Sequence, residues 1–306
     1  GNTFRTILNI PLIYSNCPDL KLVARGKVRD LYEVDDHSLL FVATDRISAF
    51  DVIMSNSITS KGKILTQISV FWFNYLKDIM ANHLITANFD EMPESVKKYR
   101  DQLEGRCLLV KKLRVLPIEA IVRGYITGSG WKEYQKKGSI CDIKLKKGLQ
   151  ESEKLDEPLF TPSTKAELGE HDENIHPSRV AGIVGPHLAK QIEEAALELY
   201  KRASAYALER GIIIADTKFE FGVDNHNNLI LIDEVLTPDS SRFWPAATYK
   251  VGEGQDSFDK QYLRNYLESI NFDKRTGIEL PEDVVQNTLK KYVEAYQLLT
   301  GEEPKL

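Results

Sequence analysis

Short apolar runs separated by turn-forming residues fill much of the first third of the chain. Runs rich in Leu, Val and Tyr that are bounded by Gly, or by Asp-Asp-His-Ser, are typical of β-strands joined by tight turns. The pattern predicts paired strands between residues 21 and 45, and two further strands at 107–111 and 118–123. Pro117, directly before the last of these, suits the start of a strand.

Apolar residues recur at helical spacing in three other parts of the chain, at 65–79, 186–210 and 285–299. Residues three and four apart share one face of a helix, so each segment predicts an amphipathic helix. Ser129 is expected to be the N-cap of a shorter helix. The polar stretch 138–185 is too long for a simple connecting loop in a compact domain, and we expect a functional loop there.

Strands gathered early and late, with helices between and after them, predict an α+β fold rather than alternating β-α-β units. The formal net charge of −5 argues against a general nucleic-acid-binding protein. No apolar run is long enough to span a membrane. The three cysteines lack metal-ligand spacing, and we expect reduced thiols in a cytoplasmic protein.

The segment 25–32 predicts a hairpin with cations at its turn. Gly26 allows close backbone approach, and Lys27 and Arg29 stand beside it. A hairpin of this kind can cover a triphosphate, as the glycine-rich hairpin of protein kinases does. One glycine is too few for a Walker A or Rossmann fingerprint. Taken alone, the segment is better explained as a charged, solvated hairpin tip.

The segment 214–234 predicts a second hairpin, with Asp216, Lys218 and Glu220 on one face of its first strand. If the turn centres between residues 226 and 227, Glu220 lies directly opposite Asp233, with Cβ atoms about 5 Å apart. Two carboxylates at that distance repel each other unless a cation or a proton lies between them. Mg²⁺ takes one or two carboxylates in this way. An amphipathic strand with a solvated polar face explains Glu220 equally well.

Two further segments combine arginine with potential anion-binding groups. Arg123 ends a predicted strand, and Gly-Ser at 128–129 then opens a helix, which places a cation beside backbone N–H donors. The sequence Thr-Pro-Asp-Ser-Ser-Arg at 237–242 predicts a turn whose hydroxyls and arginine can hold a phosphate or a carboxylate. Without further information, a capped helix and a simple turn explain these two segments.

Six motifs in order give the chain a resemblance to a known family. The runs LPIEAIVRGYITGS and IADTKFEFG resemble two signatures of the SAICAR (phosphoribosylaminoimidazole-succinocarboxamide) synthetases. The other four matching runs are RGKVRDLYEV, ATDRISAFD, FTPSTKAELGEHDENI and DEVLTPDSSRFW. The resemblance covers essentially the whole chain and is greatest for the monofunctional fungal type.

The resemblance implies an α+β fold with two lobes, in which residues 1–115 form a strand-rich lobe that covers the ATP phosphates. Residues 116–306 would form a larger α+β lobe with the metal and substrate sites. The family joins L-aspartate to the carboxylate of carboxyaminoimidazole ribonucleotide, with ATP and Mg²⁺, in purine biosynthesis. The chain is therefore expected to be an ATP-dependent ligase that acts on small molecules, with no nucleic-acid or membrane partner, as a monomer.

The resemblance also assigns roles to individual residues. Lys218 and Asp216 would be catalytic, and Glu220 and Asp233 would hold Mg²⁺. The residues implied to bind ATP are Gly26, Lys27, Val28, Arg29, Lys111, Leu113 and Glu119. Those implied to bind the ribonucleotide or aspartate are Asp45, Ser48, Arg123, Ser129, Lys165, Asp172, Ser241 and Arg242.

Two alternative functions use the same residues. A small-molecule phosphotransferase of kinase-like fold would need a His-Arg-Asp-x-x-x-x-Asn catalytic loop, which the sequence does not contain. A regulatory nucleotide-binding module without turnover would be expected to lose the acidic pair or Lys218, and all three residues are present. The ligase is therefore the preferred interpretation.

Overall fold

The computed structural model describes residues 10–165, 172–258 and 260–306. The described chain forms two compact units. The first unit takes its residues from 1–71, 83–112 and 258–306, and the second from 72–82 and 113–257. The predicted boundary at residue 115 is close to the junction at 112/113, but the first unit also contains residues 258–306, which the prediction placed in the second lobe.

The described chain contains runs of strands, and helices of very different lengths. The strands are β1 (Lys21–Arg25), β2 (Arg29–Glu33), β3 (Ser38–Ala43), β4 (Arg46–Ala49), β5 (Val52–Ser57), β6 (Leu84–Thr86), β7 (Cys107–Lys111), β8 (Arg114–Tyr125), β9 (Ser139–Ile140), β10 (Ile143–Lys144), β11 (Lys154–Phe160), β12 (Ser163–Thr164), β13 (Ile212–Val223), β14 (Leu229–Ile232) and β15 (Ser241–Pro245). The helices are α1 (Lys61–Tyr75), α2 (Glu94–Lys97), α3 (Arg100–Leu103), α4 (Gly128–Lys137), α5 (Ala181–Val184), α6 (Pro186–Glu209), α7 (Gln261–Ser269) and α8 (Glu282–Thr300).

An antiparallel sheet in the order β1-β2-β3-β7-β6 organises the first unit. Its buried face packs Tyr32, Leu40 and Val42 against residues from α2 and α3. A second apolar cluster joins the β4–β5 hairpin to α7 and α8. The strands predicted between 21 and 45 are therefore confirmed, and the predicted C-terminal helix is α8.

A second antiparallel sheet, in the order β11-β8-β13-β14, organises the second unit. Strand β12 also pairs with β8, and β15 also pairs with β13. Every residue of β13 except Lys218 is buried, as expected for a central strand that α6 covers. Helix α6 ends at Glu209 before Gly211, close to the predicted end at residue 210. This mixture of helices with antiparallel sheets confirms the α+β class.

Three local predictions are wrong. The first long helix covers Lys61–Tyr75 rather than 65–79, because the apolar pattern continues past the helix end into turns at Leu76 and Ile79. The stretch 138–185 is not one loop, since β9 to β12 and α5 lie within it. Ser129 is not an N-cap, because Thr127 takes that position without a side-chain hydrogen bond to the helix.

Candidate active site

Two central strands of the second unit, β8 and β13, bring its predicted site residues together. Their antiparallel register places Arg123 opposite Asp216 and Glu119 opposite Glu220. Side chains of directly opposed residues share one face of a sheet. Charged residues from distant parts of the sequence therefore line one face of a buried strand pair.

Glu220 and Asp233 meet, although not by the predicted register. Glu220 pairs with Ile232, so the prediction that it lies directly opposite Asp233 is wrong by one residue. Strand β14 ends at Ile232, and Asp233 adopts a left-handed backbone conformation with φ of 68°. The turned backbone brings the Asp233 carboxyl group within hydrogen-bonding reach of Glu220.

The environment of Glu220 favours its neutral form. Only 5% of the residue is exposed. Burial, followed by the hydrogen bond and negative charge of Asp233, raises the pKa of Glu220 from 4.5 to about 7. The neighbouring lysines, Lys165 and Lys218, act in the opposite direction. A cation is stabilising beside an acid pair of this kind, in which one carboxyl group is buried and the other half-buried.

Two lysines supply positive charge beside these acids. Nζ of Lys165 lies 2.7 Å from Oε1 of Glu220, and Nζ of Lys218 lies 3.5 Å from Oε1 of Glu119. The pKa of Glu119 is raised, mainly by burial and also by the negative charge of Asp172, while the positive charge of Lys218 acts in the opposite direction. Asp172 is exposed at the edge of this cluster.

The acid pair fits a divalent cation that has other ligands besides the protein. The ammonium group of Lys165 already places positive charge on Glu220. Among the described residues, no group of three or more His, Cys, Asp or Glu side chains could hold a metal ion. Mg²⁺ commonly binds to one or two carboxylates and completes its shell with phosphate oxygens and water. Glu220 and Asp233 match that pattern.

Arg123 and Arg242 converge on one carboxylate. Nη1 of Arg242 donates to Oδ2 of Asp216 at 2.6 Å, and Nη1 of Arg123 lies 3.8 Å from the same oxygen. Arg123 is 4% exposed, and its Nε donates to Oγ1 of Thr161 at 3.0 Å. Its Nη2 also approaches Oγ of Ser129 at 3.4 Å. We call Arg123, Ser129, Asp216 and Arg242 the arginine cluster.

Two glycines at the start of α4 make room for the arginine cluster. A Cβ on Gly128 would lie 2.3 Å from Nη2 of Arg242, and a Cβ on Gly130 would lie 3.1 Å from Nη1 of Arg123. Gly128 also has a positive φ of 57°, which L side chains rarely adopt. The helix start therefore closes directly over the two guanidinium groups.

Some residues of this site were not predicted. Thr161 accepts the Nε hydrogen bond of Arg123, and Thr217 shares a 2.7 Å hydrogen bond with Ser241 between their hydroxyl groups. Both threonines are buried. They lie within the motifs quoted for the family resemblance, but an isolated threonine carries no chemical signal that marks it as functional.

The turn at Gly26–Arg29 lies in the first unit. Its ends close through a hydrogen bond from N–H of Gly26 to the carbonyl oxygen of Arg29, at 2.8 Å. The Lys27 ammonium group is exposed and lies 2.5 Å from Oδ1 of Asp51. The carbonyl oxygen of Val28 accepts hydrogen bonds from both N–H and Oγ1 of Thr44. The turn is thus tied down while its lysine stays accessible.

Asp45 has a structural role in the first unit. It has no exposed surface, and Arg106 donates to both of its carboxylate oxygens, at 2.9 and 3.1 Å. Backbone N–H groups of Leu12 and Gly62 also donate to it. Protein donors thus engage both oxygens of this carboxylate, and its predicted substrate-binding role stays a prediction.

Three other predicted residues lie within the described part of the chain. Ser48 is 9% exposed, and its carbonyl oxygen accepts a 2.7 Å hydrogen bond from Nζ of Lys260. Lys111 ends β7 with an exposed side chain in the first unit. Leu113 is half-buried in the second unit. Their predicted roles stay predictions.

An acid pair, lysines and an arginine cluster on an α+β scaffold are compatible with an enzyme of the class that activates a carboxylate with a nucleoside triphosphate. The sequence profile of the SAICAR synthetase family matches residues 22–279. The chain belongs to the SAICAR synthetase family.

Similar proteins cover nearly the whole chain. The phosphoribosylaminoimidazole-succinocarboxamide synthase of Maridesulfovibrio salexigens is 59% identical over 95% of this chain and 98% of its own. The Saccharomyces cerevisiae synthase is 57% identical over 92% of this chain and 95% of its own. The solved S. cerevisiae SAICAR synthase complexed with SAICAR has a TM-score of 0.88 at 54% identity, and covers 93% of this chain and 96% of its own. A SAICAR synthetase in complex with ADP has a TM-score of 0.67 at 27% identity, and covers 92% of this chain and 99% of its own.

None of the helices in the described part of the chain has the length and apolar character needed to cross a membrane.

Proposed function

We propose that this chain joins the amino group of L-aspartate to the carboxylate of carboxyaminoimidazole ribonucleotide, with ATP converted to ADP and phosphate. Family membership supports this reaction, and so does the solved relative with bound ADP. The observation that carries it is the pairing of buried Glu220 with half-buried Asp233, beside a sheet that also carries two arginines. That arrangement suits several anions that must react with one another.

The reaction has to make a carboxylate reactive towards an amine. An amine cannot expel oxide from a carboxylate, so a carboxylate oxygen first attacks the γ-phosphorus and ADP leaves. The deprotonated aspartate amine then attacks the acyl carbon of the acyl phosphate, and phosphate leaves with the former carboxylate oxygen. Phosphoryl transfer depends mainly on positioning and charge neutralisation. These are the contributions expected from the cationic residues of this site.

Lys218 and the acid pair are assigned to phosphoryl transfer. The Lys218 ammonium group is partly exposed and reaches Glu119 at 3.5 Å, so it can neutralise an incoming phosphoryl group. Glu220 and Asp233 would hold Mg²⁺, which would supply positive charge to the ATP phosphates. Lys165, now on Glu220, would then be released to contact the phosphates or the substrate carboxylate.

The arginine cluster is assigned to the carboxylate substrates. Asp216 shares its charge between two guanidinium groups, which leaves the cluster with one net positive charge. Planar guanidinium groups bind carboxylates in a two-pronged way that lysine cannot reproduce. Ser129 and Ser241 add hydroxyl groups, and Asp172 adds a carboxylate that can accept from the aspartate ammonium group.

The Gly26–Arg29 turn is assigned to the phosphates of ATP, with Lys27 as its point charge. We assign Lys111, Leu113 and Glu119 to the region around the adenine. The monomeric state and the cytoplasmic location stay predictions.

Release of ADP tests the proposed function directly. Over many turnovers, the purified chain should release ADP only when ATP, L-aspartate and the carboxylated ribonucleotide are all present, with one succinocarboxamide formed for each ADP. Without L-aspartate, formation of the acyl phosphate accounts for no more than about one ADP per enzyme, whereas sustained ADP release that accumulates a phosphorylated ribonucleotide and no amide would instead indicate a phosphotransferase. Omission of Mg²⁺ should abolish turnover, and unchanged turnover with a chelator present would contradict the metal assignment.

A further inference from the structure

A second buried arginine of the first unit lies behind the Gly26–Arg29 turn. Arg46 is 1% exposed and begins β4. Its Nη2 forms an ion pair with Oδ1 of Asp30 at 2.9 Å, and Asp30 itself has no exposed surface. Oδ2 of Asp30 also lies 3.3 Å from Nη1 of Arg25, so two arginines share this buried carboxylate. The other hydrogen bonds of Arg46 show which part of the chain it holds.

Three of those hydrogen bonds go to carbonyl oxygens of the turn, and a fourth runs from Nη1 to the carbonyl oxygen of Ile13 at 2.7 Å. Nε of Arg46 donates to Lys27 O at 2.9 Å, and Nη2 donates to Gly26 O at 2.9 Å and to Arg29 O at 3.3 Å. Thr44 binds the remaining carbonyl, that of Val28, through Oγ1 at 2.7 Å. All four carbonyl oxygens of the turn are therefore held from the protein interior.

This arrangement determines where the N–H groups of the turn point. In a trans peptide the C=O of one residue and the N–H of the next point in opposite directions. With the carbonyls of Gly26 and Lys27 held by Arg46, the N–H groups of Lys27 and Val28 point away from it. Successive N–H groups that point the same way form an anion-binding concavity.

We infer that Arg46 is the positioning residue of the phosphate-binding turn: its guanidinium group holds the turn carbonyls inward, so that the N–H groups face the phosphates of ATP. This inference rests on the proposed function of the turn. Guanidinium is suited to the task because it offers five donors in a fixed plane and accepts no hydrogen bond. An ammonium group keeps the charge but cannot hold three carbonyls and a carboxylate in this geometry.

Arg46→Lys is the main test, with Arg106→Lys as its matched control. Both arginines are buried in the first unit and each is paired with a buried aspartate, but Arg106 binds Asp45 and Ala43 O and no atom of the turn. We expect Arg46→Lys to raise KM for ATP at least about tenfold. We expect kcat at saturating ATP, and KM for aspartate, to stay within about threefold. Arg106→Lys should lower the melting temperature similarly but leave KM for ATP unchanged.

A milder variant keeps the test decisive if Arg46→Lys does not fold. Thr44→Val retains the shape of the side chain but removes the Oγ1 hydrogen bond to Val28 O. It should raise KM for ATP about two- to fivefold, and the Kd for ADP measured by calorimetry should rise by a similar factor. Unchanged nucleotide affinity in folded Arg46→Lys or, where that variant does not fold, in Thr44→Val would overturn the inference. Equal effects of Arg46→Lys and Arg106→Lys on KM for ATP would overturn it as well.

Lys27→Ala separates this inference from the proposed function of the turn. If Lys27→Ala leaves the affinity for ATP unchanged, the turn does not bind phosphate and both proposals fail. If Lys27→Ala weakens ATP binding but Arg46→Lys does not, the turn binds phosphate and only the role of Arg46 is refuted.

Discussion

Replacement of Glu220 by glutamine should stabilise the metal-free protein while it abolishes turnover. Glu220 is buried beside Asp233, and its pKa is raised from 4.5 to about 7. The folded state therefore binds a proton more tightly than the unfolded state does. The stability that protonation provides is complete below pH 4.5 and is lost as the pH rises through about 7.

The size of the effect follows from the two pKa values. A rise from 4.5 to about 7 corresponds to a loss of at most about 3 kcal/mol above pH 7. Glu220→Gln is neutral at every pH and avoids this loss. At pH 8 without metal, the variant should melt roughly 3–6 °C above the original protein, and near pH 5 the difference should largely vanish.

Differential scanning calorimetry at the two pH values, with and without Mg²⁺, provides the measurement. Mg²⁺ should raise the melting temperature of the original protein at pH 8 and have little effect on the variant. The kcat of the variant should fall about 100-fold or more. Glu157→Gln, an exposed position on β11, is the control and should change neither quantity. If Glu220→Gln melts below the original protein at pH 8 without metal, the electrostatic reasoning is refuted.

Other side chains of the site allow sharper comparisons. Gly128→Ala should lower kcat/KM for the ribonucleotide about 10–100-fold, because its Cβ would displace Arg242. Gly138 also has a positive φ but lies in open space, so Gly138→Ala should leave kcat/KM within about twofold. Equal losses of the two variants in steady-state kinetics would contradict this reasoning. Arg123→Lys should lower the same kcat/KM roughly 30- to 1000-fold with little change in KM for ATP, and a near-normal value would show a purely structural role. Lys218→Ala should lower kcat much more than it raises KM for ATP, and an unchanged kcat would exclude it from phosphoryl transfer.

The sequence predicts the strand pair of the site well, because alternation along β13 is a local property. The faces of Asp216, Lys218 and Glu220 follow from the two-residue period alone. The position of Asp233 does not, since it depends on where the hairpin turn centres and on a left-handed residue after β14. A shift of one residue in register moves a side chain to the other face, and only the backbone turn at Asp233 returns it to Glu220.

Buried charges mark the limit of sequence-based prediction. Asp45 and Arg46 are neighbours in the motif ATDRISAFD, yet Asp45 binds Arg106, 61 residues away, and Arg46 binds the turn at Gly26–Arg29. Partner choice for such groups is set by tertiary packing. A charged residue in a family motif therefore looks the same in the sequence whether it contacts a substrate or holds the fold.

Strand β13 orders the chemistry of the site along one line. Asp216, with its two arginines, comes first, Lys218 follows two residues later, and Glu220 with Asp233 follows after two more. Two residues of a strand advance by roughly 7 Å, which is about the length of a phosphate group with its contacts. We therefore propose that the carboxylate to be activated binds near the arginine cluster, the transferring phosphoryl group near Lys218, and the remaining phosphates near the acid pair. Since the chain is acidic overall, it is this local order of charge along one buried strand, rather than net charge, that can bring several anions together.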